Sequence, residues 1–142
     1  MTALPMDIES LIPHRDRMKL LNDVIEVNAD MAVTSALVSE LWPLRNGSFV
    51  DPLVLIEIVA QTAGVHISWK KGIDKGGGGQ GWIVGIKDAD FFLDRIPLQT
   101  VLITTVKNLY SAENYHVLEG TVMTGEELLC RIQIQVFRSE SD

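Results

Sequence analysis

The chain has 142 residues, of which 46% are hydrophobic and 22% are charged, and this size and composition fit one globular domain spanning residues 1–142. The net charge of −7 argues against nucleic acid or an anionic membrane as the main partner. The lone Cys130 excludes an internal disulfide framework and fits a reducing compartment. The N-terminus lacks the pattern of a signal peptide, so we expect a cytoplasmic protein.

The N-terminal third of the chain predicts a β-hairpin followed by a loop. Residues 18–27 mix apolar and polar side chains as a first strand does, and residues 31–41 alternate as a second strand. Residues 28–30 supply the turn between the two strands. Residues 42–50 contain a proline and an Asn-Gly pair, and they are therefore predicted to form a loop.

Residues 51–71, DPLVLIEIVAQTAGVHISWKK, predict one long buried helix. Asp51 is a favourable N-cap, and Pro52 fits the first helical position. Apolar residues lie on every side, which is typical of a helix that is buried all round. One acid, one amide and one histidine interrupt the apolar run, so it falls short of a membrane span and we expect no integral membrane segment.

The C-terminal half predicts an antiparallel sheet. Residues 72–81 contain four consecutive glycines without the spacing of a P-loop, so a flexible solvent-facing loop is favoured over a phosphate-binding one. Four strands are then predicted at residues 82–92, 98–110, 115–124 and 128–137. A curved antiparallel sheet wrapped round the long helix buries that helix on all sides, which predicts an α+β fold.

Glu57 and Gln61 are the first candidates for chemistry, because both are polar residues on an apolar helix. They are four positions apart and therefore lie on one helix face. Two interpretations of Glu57 stay open from the pattern alone. It is either a buried acid held by hydrogen bonds or a proton donor in catalysis, since burial disfavours the charged carboxylate. His66 lies nine positions after Glu57, on the opposite side of the helix.

The other polar candidates form no catalytic or metal-binding pattern. His14 lies in a polar connection before the first strand, and His116 lies on a strand, where we expect it to face solvent. Three histidines, one cysteine and scattered acids give no metal-ligand spacing. Ser48 lacks an obvious catalytic triad. Cys130 lies within an apolar alternation and is expected to be a buried structural thiol.

Three segments of the chain resemble bacterial 3-hydroxyacyl-acyl carrier protein dehydratases. IESLIPHRDRMKLLNDVIEV is similar to their N-terminal segment, in which a Leu-Pro-His-Arg stretch precedes the first strand. VLIEIVAQTAG is similar to their central helix, and IVGIKDADFF with LQTVLITTVKNLY is similar to their third and fourth strands. The resemblance covers nearly the whole chain. It implies a dimeric hotdog fold, in which a curved antiparallel sheet wraps a long helix and two sheets join edge to edge.

The resemblance also implies acyl-thioester chemistry. In that family a histidine removes the proton next to the thioester, and the helix acid of the other subunit helps water to leave. A backbone amide at the helix start polarises the thioester carbonyl. Glu57 matches the helix acid, and Gln61 matches the glutamine after it. The resemblance implies no cofactor, because the substrate is carried on the phosphopantetheine of an acyl carrier protein.

Two positions depart from the family pattern. Ser48 stands where the family has a histidine in a Gly-His-Phe-Pro stretch, and the loop from there to the helix is shorter. Pro52, which has no N–H, stands where a glycine is expected. These departures resemble the divergent dehydratase-like proteins of aryl-polyene and related polyketide clusters.

Substitutes for the missing groups can be named within the chain. His14 belongs to the matching Pro-His-Arg motif and is the natural substitute base if this segment reaches the partner's helix acid. The N–H groups of Leu53 and Val54 remain as oxyanion donors. The positions that the resemblance assigns to substrate binding are Gln61, Ser48, Phe49, Leu53, Val54 and Arg15.

Three functions are compatible with these observations. The first is a dehydratase acting on a carrier-bound 3-hydroxyacyl chain, with the helix lining a tunnel and Arg15, Lys70 or Lys71 meeting the pantetheine phosphate. The second is a non-catalytic hotdog subunit that binds acyl chains or pairs with an active dehydratase. The third is an acyl thioesterase in which Glu57 activates water. The expected assembly is a homodimer or higher oligomer, or a heterodimer with another hotdog subunit.

Overall fold

The computed structural model describes residues 19–71 and 82–138, in which one helix packs against one large antiparallel sheet. This is the α+β arrangement that the sequence pattern predicts. In chain order the elements are β1 (Asp23–Val27), β2 (Met31–Leu37), β3 (Arg45–Asn46), β4 (Phe49–Val50), α1 (Val54–Lys71), β5 (Trp82–Phe91), β6 (Ile96–Pro97), β7 (Val101–Ala112), β8 (Tyr115–Thr124) and β9 (Glu127–Arg138).

The large sheet has six strands in the order β1-β2-β7-β8-β9-β5, and every neighbouring pair is antiparallel. β3, β4 and β6 form a second, three-stranded sheet. β5 is an edge strand that pairs with β9 alone among the strands of the described residues. The unpaired side of β5 therefore presents backbone donors and acceptors to whatever lies beside it.

The start of α1 is set by Asp51. Its carboxylate accepts a hydrogen bond from the Leu53 N–H at 2.9 Å, and its carbonyl accepts one from the Val54 N–H at 3.1 Å. Asp51 is thus the N-cap that the sequence predicts. The regular helix begins at Val54 because Pro52 and Leu53 form a tight turn before it.

The core lies between α1 and the sheet. Leu55, Ile58 and Val59 on the helix have no exposed surface, and neither have Leu118 and Ile134 on the facing strands. Each such side chain contributes about 1.5–3 kcal/mol of hydrophobic stabilisation. In the part of the chain described, no helix combines the length and apolarity that a membrane crossing requires.

Gly120 allows α1 to approach β8 closely. A Cβ atom at this position would lie 2.5 Å from Cγ1 of Val59, which is closer than two carbon atoms can pack. Because alternate residues of a strand share one face, His116, Leu118 and Val122 also face the helix. The close contact at Gly120 therefore fixes which side of β8 is the inner one.

The start of β1 and the end of β2 differ from the predicted boundaries, because the side chain of Asn22 takes the place of a backbone partner there. The first strand begins at Asp23, not at residue 18, and Asn22 Oδ1 accepts a hydrogen bond from the Leu37 N–H at 2.7 Å, where the second strand ends. Residues 42–50 contain a short hairpin, β3–β4, around Gly47, whose φ of 65° favours glycine. The glycine-rich segment 72–81 lies outside the described residues.

Cys130 has no exposed surface, as predicted. Burial raises the pKa of its thiol to about 12. Since the thiolate is the reactive form, Cys130 is a structural side chain of β9 and not a nucleophile.

Candidate functional site

Gln61 is a fully buried amide on α1, and both ends of its side chain are held. Its Oε1 accepts a hydrogen bond from the Leu20 N–H at 3.0 Å, and its Nε2 donates one to Oε1 of Glu57 at 3.1 Å. The Leu20 N–H can only donate, so the amide oxygen faces Leu20 and the NH₂ group faces Glu57. The orientation of the amide is therefore fixed, with one donor directed at the acid.

Glu57 lies in the first turn of α1, on a face whose exposure falls along the helix. Leu53, one turn earlier, is 55% exposed, Glu57 is partly buried, and Gln61, one turn later, is fully buried. These three positions are spaced by four residues and share one face. Glu57 therefore stands at the boundary between solvent and core.

Backbone N–H groups at the start of α1 are engaged within the chain. The Leu53 N–H donates to the Asp51 carboxylate, and the Val54 N–H donates to the Asp51 carbonyl. The two donors predicted for a substrate oxyanion are thus both occupied by Asp51. The Leu53 N–H is the donor that can be released, because its partner is a side-chain carboxylate that can rotate away. The partner of the Val54 N–H is a backbone carbonyl, which cannot.

Ser48 and Phe49 lie in the β3–β4 hairpin. Ser48 is exposed, and the guanidinium of Arg95 lies 4.2 Å from the centre of the Phe49 ring, in a cation–π contact. Phe49 and Arg95 line a cavity of about 250 Å³ together with Asp51, the helix cap. Sequence reasoning missed Arg95, because only the pairing of β4 with β6 brings the Arg95 region beside residue 49.

His66 and His116 are buried at the end of α1 that is remote from Glu57. The separation of nine positions from Glu57 to His66 corresponds to about 13 Å along the helix axis. The expectation that His116 faces solvent is wrong, because it is on the same face of β8 as Gly120 and is only 9% exposed. Neither histidine lies beside Glu57 in the same chain.

The remaining predicted site residues are either outside the described part of the chain or distant from Glu57. His14 and Arg15 lie outside the described residues, and their roles stay predictions. Lys70 is exposed and lines a cavity with His66 and His116, at the end of α1 away from Glu57. Of the predicted residues that the structure describes, Glu57 and Gln61 are joined by a direct side-chain hydrogen bond.

Comparisons with solved structures show the fold. The chain is similar to the dehydratase heterocomplex ApeI:P from Xenorhabdus doucetiae, with a TM-score of 0.85, 20% identity, and coverage of 96% of this chain and 93% of that chain. It is similar to Cj0977, a virulence protein from Campylobacter jejuni, with a TM-score of 0.70, 15% identity, and coverage of 93% and 85%. A hypothetical thioesterase from Streptococcus pneumoniae TIGR4, solved with coenzyme A, has a TM-score of 0.63, 14% identity, and coverage of 84% and 86%.

Comparison with sequence families covers almost the whole chain. No curated protein sequence matches it. A family model described as ApeP-like, ApeP dehydratase, matches residues 6–142. The resemblance to dehydratase-like proteins of aryl-polyene clusters is confirmed, and the chain is a dehydratase-like protein with the hotdog fold that belongs to the ApeP-like family.

Proposed function

We propose that the protein acts in the dehydration of a 3-hydroxyacyl thioester carried by an acyl carrier protein, and that Glu57 is the acid of the reaction. The observation that carries this proposal is the Gln61 amide, which is held by Leu20 and donates to the Glu57 carboxyl group. A carboxyl group fixed in this way at the solvent boundary of an apolar helix suits a proton-transfer role.

The proposed reaction breaks one C–H bond and one C–O bond. A base removes a proton from the carbon next to the thioester carbonyl, and the electron pair forms the new double bond. The hydroxyl group on the next carbon leaves as water after receiving a proton from Glu57, so the products are an enoyl thioester and water. We assign the base to His14, the histidine of the matching Pro-His-Arg motif.

The thioester carbonyl needs a hydrogen-bond donor while negative charge develops on its oxygen. Of the two predicted donors, we favour the Leu53 N–H. Its present partner is the side chain of Asp51, which a substrate oxygen could displace by a rotation of that side chain. Phe49, Ser48 and Arg15 are proposed to contact the acyl-pantetheine arm.

Separate substitutions of Glu57 and His14 test the enzyme proposal. With a 3-hydroxyacyl carrier-protein substrate, we expect Glu57→Gln and His14→Ala each to reduce formation of the enoyl product by about 100-fold or more. Glu113→Gln, in an exposed turn between β7 and β8, is the matched control and should retain full activity. Full activity in Glu57→Gln would refute the proposed acid, and full activity in His14→Ala would refute the proposed base.

A non-catalytic role is the second candidate, and two observations favour it. The described histidines lie away from Glu57, and the N–H groups at the helix start are taken by Asp51. In that case the chain supports an active hotdog partner. The solved dehydratase to which it is similar is itself a heterocomplex. Measuring the enoyl product and released thiol side by side separates a dehydratase, a thioesterase and a subunit that is inactive by itself.

The unpaired edge of β5 is the proposed surface for a partner hotdog subunit. Ile86 on this strand is 51% exposed, and β5 pairs only with β9 within the described residues. We expect Ile86→Lys to weaken assembly, as charged residues on an edge strand oppose pairing. Sedimentation of the protein, alone and with a co-expressed hotdog partner, measures this. Leu109→Lys, at a 52% exposed position of β7, is the control and should leave the assembly unchanged.

A further inference from the structure

A second cavity, separate from the Glu57 region, lies at the C-terminal end of α1. It has a volume of about 170 Å³ and is lined by His66, Ile67 and Lys70 from the helix, Asn108 from β7 and His116 from β8. A volume of this order accommodates a molecule the size of benzene. The proposed dehydratase chemistry uses none of these five residues.

His66 uses one ring nitrogen to anchor this end of the helix. Its Nε2 lies 3.1 Å from the carbonyl oxygen of Asn28 in the β1–β2 turn. A carbonyl can only accept, so Nε2 carries the hydrogen and donates it. His66 is therefore a structural contact between α1 and the turn, and it also forms one wall of the cavity.

His116 has one ring nitrogen held and the other without a partner. Its Nδ1 lies 3.1 Å from the hydroxyl oxygen of Ser111 on the neighbouring strand. Its Nε2 is buried, and no group of the described residues lies within hydrogen-bonding distance of it. A buried polar atom left in this way costs about 1–3 kcal/mol, so such atoms normally have a water or a ligand as partner.

The charges around the cavity favour an anion with a single charge. Burial and the nearby Lys70 lower the pKa of both His66 and His116, so the two rings are neutral at pH 7. Among the side chains that the structure describes, Lys70 is the cation of the cavity wall. Asp30 also acts on His66 and opposes a further negative charge. One cation suits a carboxylate better than a doubly charged phosphate.

We propose that this cavity binds a short-chain carboxylate. The carboxylate group accepts hydrogen bonds from the Lys70 ammonium and from His116 Nε2–H, with Ser111 donating its hydroxyl hydrogen to Nδ1. The apolar tail lies against Ile67 and the aliphatic part of Lys70. This site is independent of the function proposed for Glu57, and it is available in each chain whether or not the chain is catalytic.

Titration with butanoate tests the proposal. The imidazole NMR signals of His66 and His116 report on the site, and we expect butanoate to shift both. We expect Lys70→Met to raise the Kd of butanoate about tenfold or more, because a charge-assisted hydrogen bond is lost. The matched control is Lys107→Met, at an exposed position of β7 next to Asn108, and its Kd should equal that of the wild type.

Two further ligands define the chemistry of the site. Butanamide has nearly the same shape as butanoate without its charge, and it should bind about tenfold more weakly. Inorganic phosphate should bind more weakly than butanoate. The proposal is overturned if butanoate leaves the His116 signals unchanged, since the cavity then holds only water. It is also overturned if Lys70→Met binds butanoate normally or if phosphate binds more tightly.

Discussion

Gln61 shows how a single amide can position an acid. The peptide N–H of Leu20 fixes the amide oxygen, and this leaves the NH₂ group facing the Glu57 carboxyl group. The spacing of four residues is visible in the sequence, and it correctly places Glu57 and Gln61 on one helix face. The contact with Leu20 is not visible, because it joins residues 41 positions apart.

We expect Gln61→Glu to destabilise the protein by about 2–4 kcal/mol at pH 8, since it places two carboxyl groups about 3 Å apart in a partly buried setting. The loss should shrink towards pH 5, where the two groups can share a proton. Urea denaturation at both pH values measures the free energy of unfolding.

Gln135→Glu is the matched control for this substitution, because it makes the same chemical change at a partly exposed position of β9. Its free energy of unfolding should change by less than about 0.5 kcal/mol. Equal effects of the two substitutions at both pH values would show that the contact between Gln61 and Glu57 does not have the geometry described.

The packing of α1 against β8 is controlled by the absence of a side chain at Gly120. The inner face of β8 is occupied elsewhere by His116, Leu118 and Val122. Val59 of the helix fills the space above Gly120. The helix therefore lies closer to the sheet than a side chain at this position would permit.

We expect Gly120→Ala to destabilise the fold by about 1–3 kcal/mol, because the new methyl group overlaps the Val59 side chain. Gly85→Ala is the control, since a Cβ at Gly85 on β5 meets no atom within 4 Å. Chemical denaturation of both variants measures the difference. Shortening Val59 in the Gly120→Ala, Val59→Ala double variant should recover part of the loss, and strictly additive effects would contradict the proposed overlap.

Stability of the whole molecule should depend on pH through His66 and His116, which are both buried. Burial, followed by the charge of Lys70, lowers the pKa of His66 and His116 below the ordinary value of 6.5. The unfolded chain therefore takes up protons at these residues more readily than the native protein does. The free energy of unfolding should fall as the pH drops from 7.5 through 6.5 to 5.5, by up to about 1 kcal/mol for each histidine.

Denaturation curves across this pH range test the effect. His66→Gln keeps an amide donor for the Asn28 carbonyl but cannot be protonated, so its stability should vary less with pH than that of the wild type. An unchanged pH dependence in this variant would assign the effect to groups other than His66.

Local sequence patterns were sufficient to predict the helix, its Asp51 cap, the sheet-forming segments and the burial of Cys130. Each of these depends on the periodicity or the turn chemistry of neighbouring residues. The resemblance carried by three short segments identified the hotdog fold and the family. The boundaries at Asp23 and Leu37 were predicted less well, because a side-chain contact from Asn22 competes with strand pairing there.

The tertiary structure decided the properties that depend on distant residues. It buries His116, because the contact between Gly120 and Val59 determines which face of β8 packs against the helix. It places Arg95 over Phe49 through the pairing of two short strands. The sequence by itself determined that Glu57 and Gln61 share a face, since helical periodicity is local. That Gln61 directs its amide donor at Glu57 required the fold, because its other partner, Leu20, is brought there only by tertiary packing.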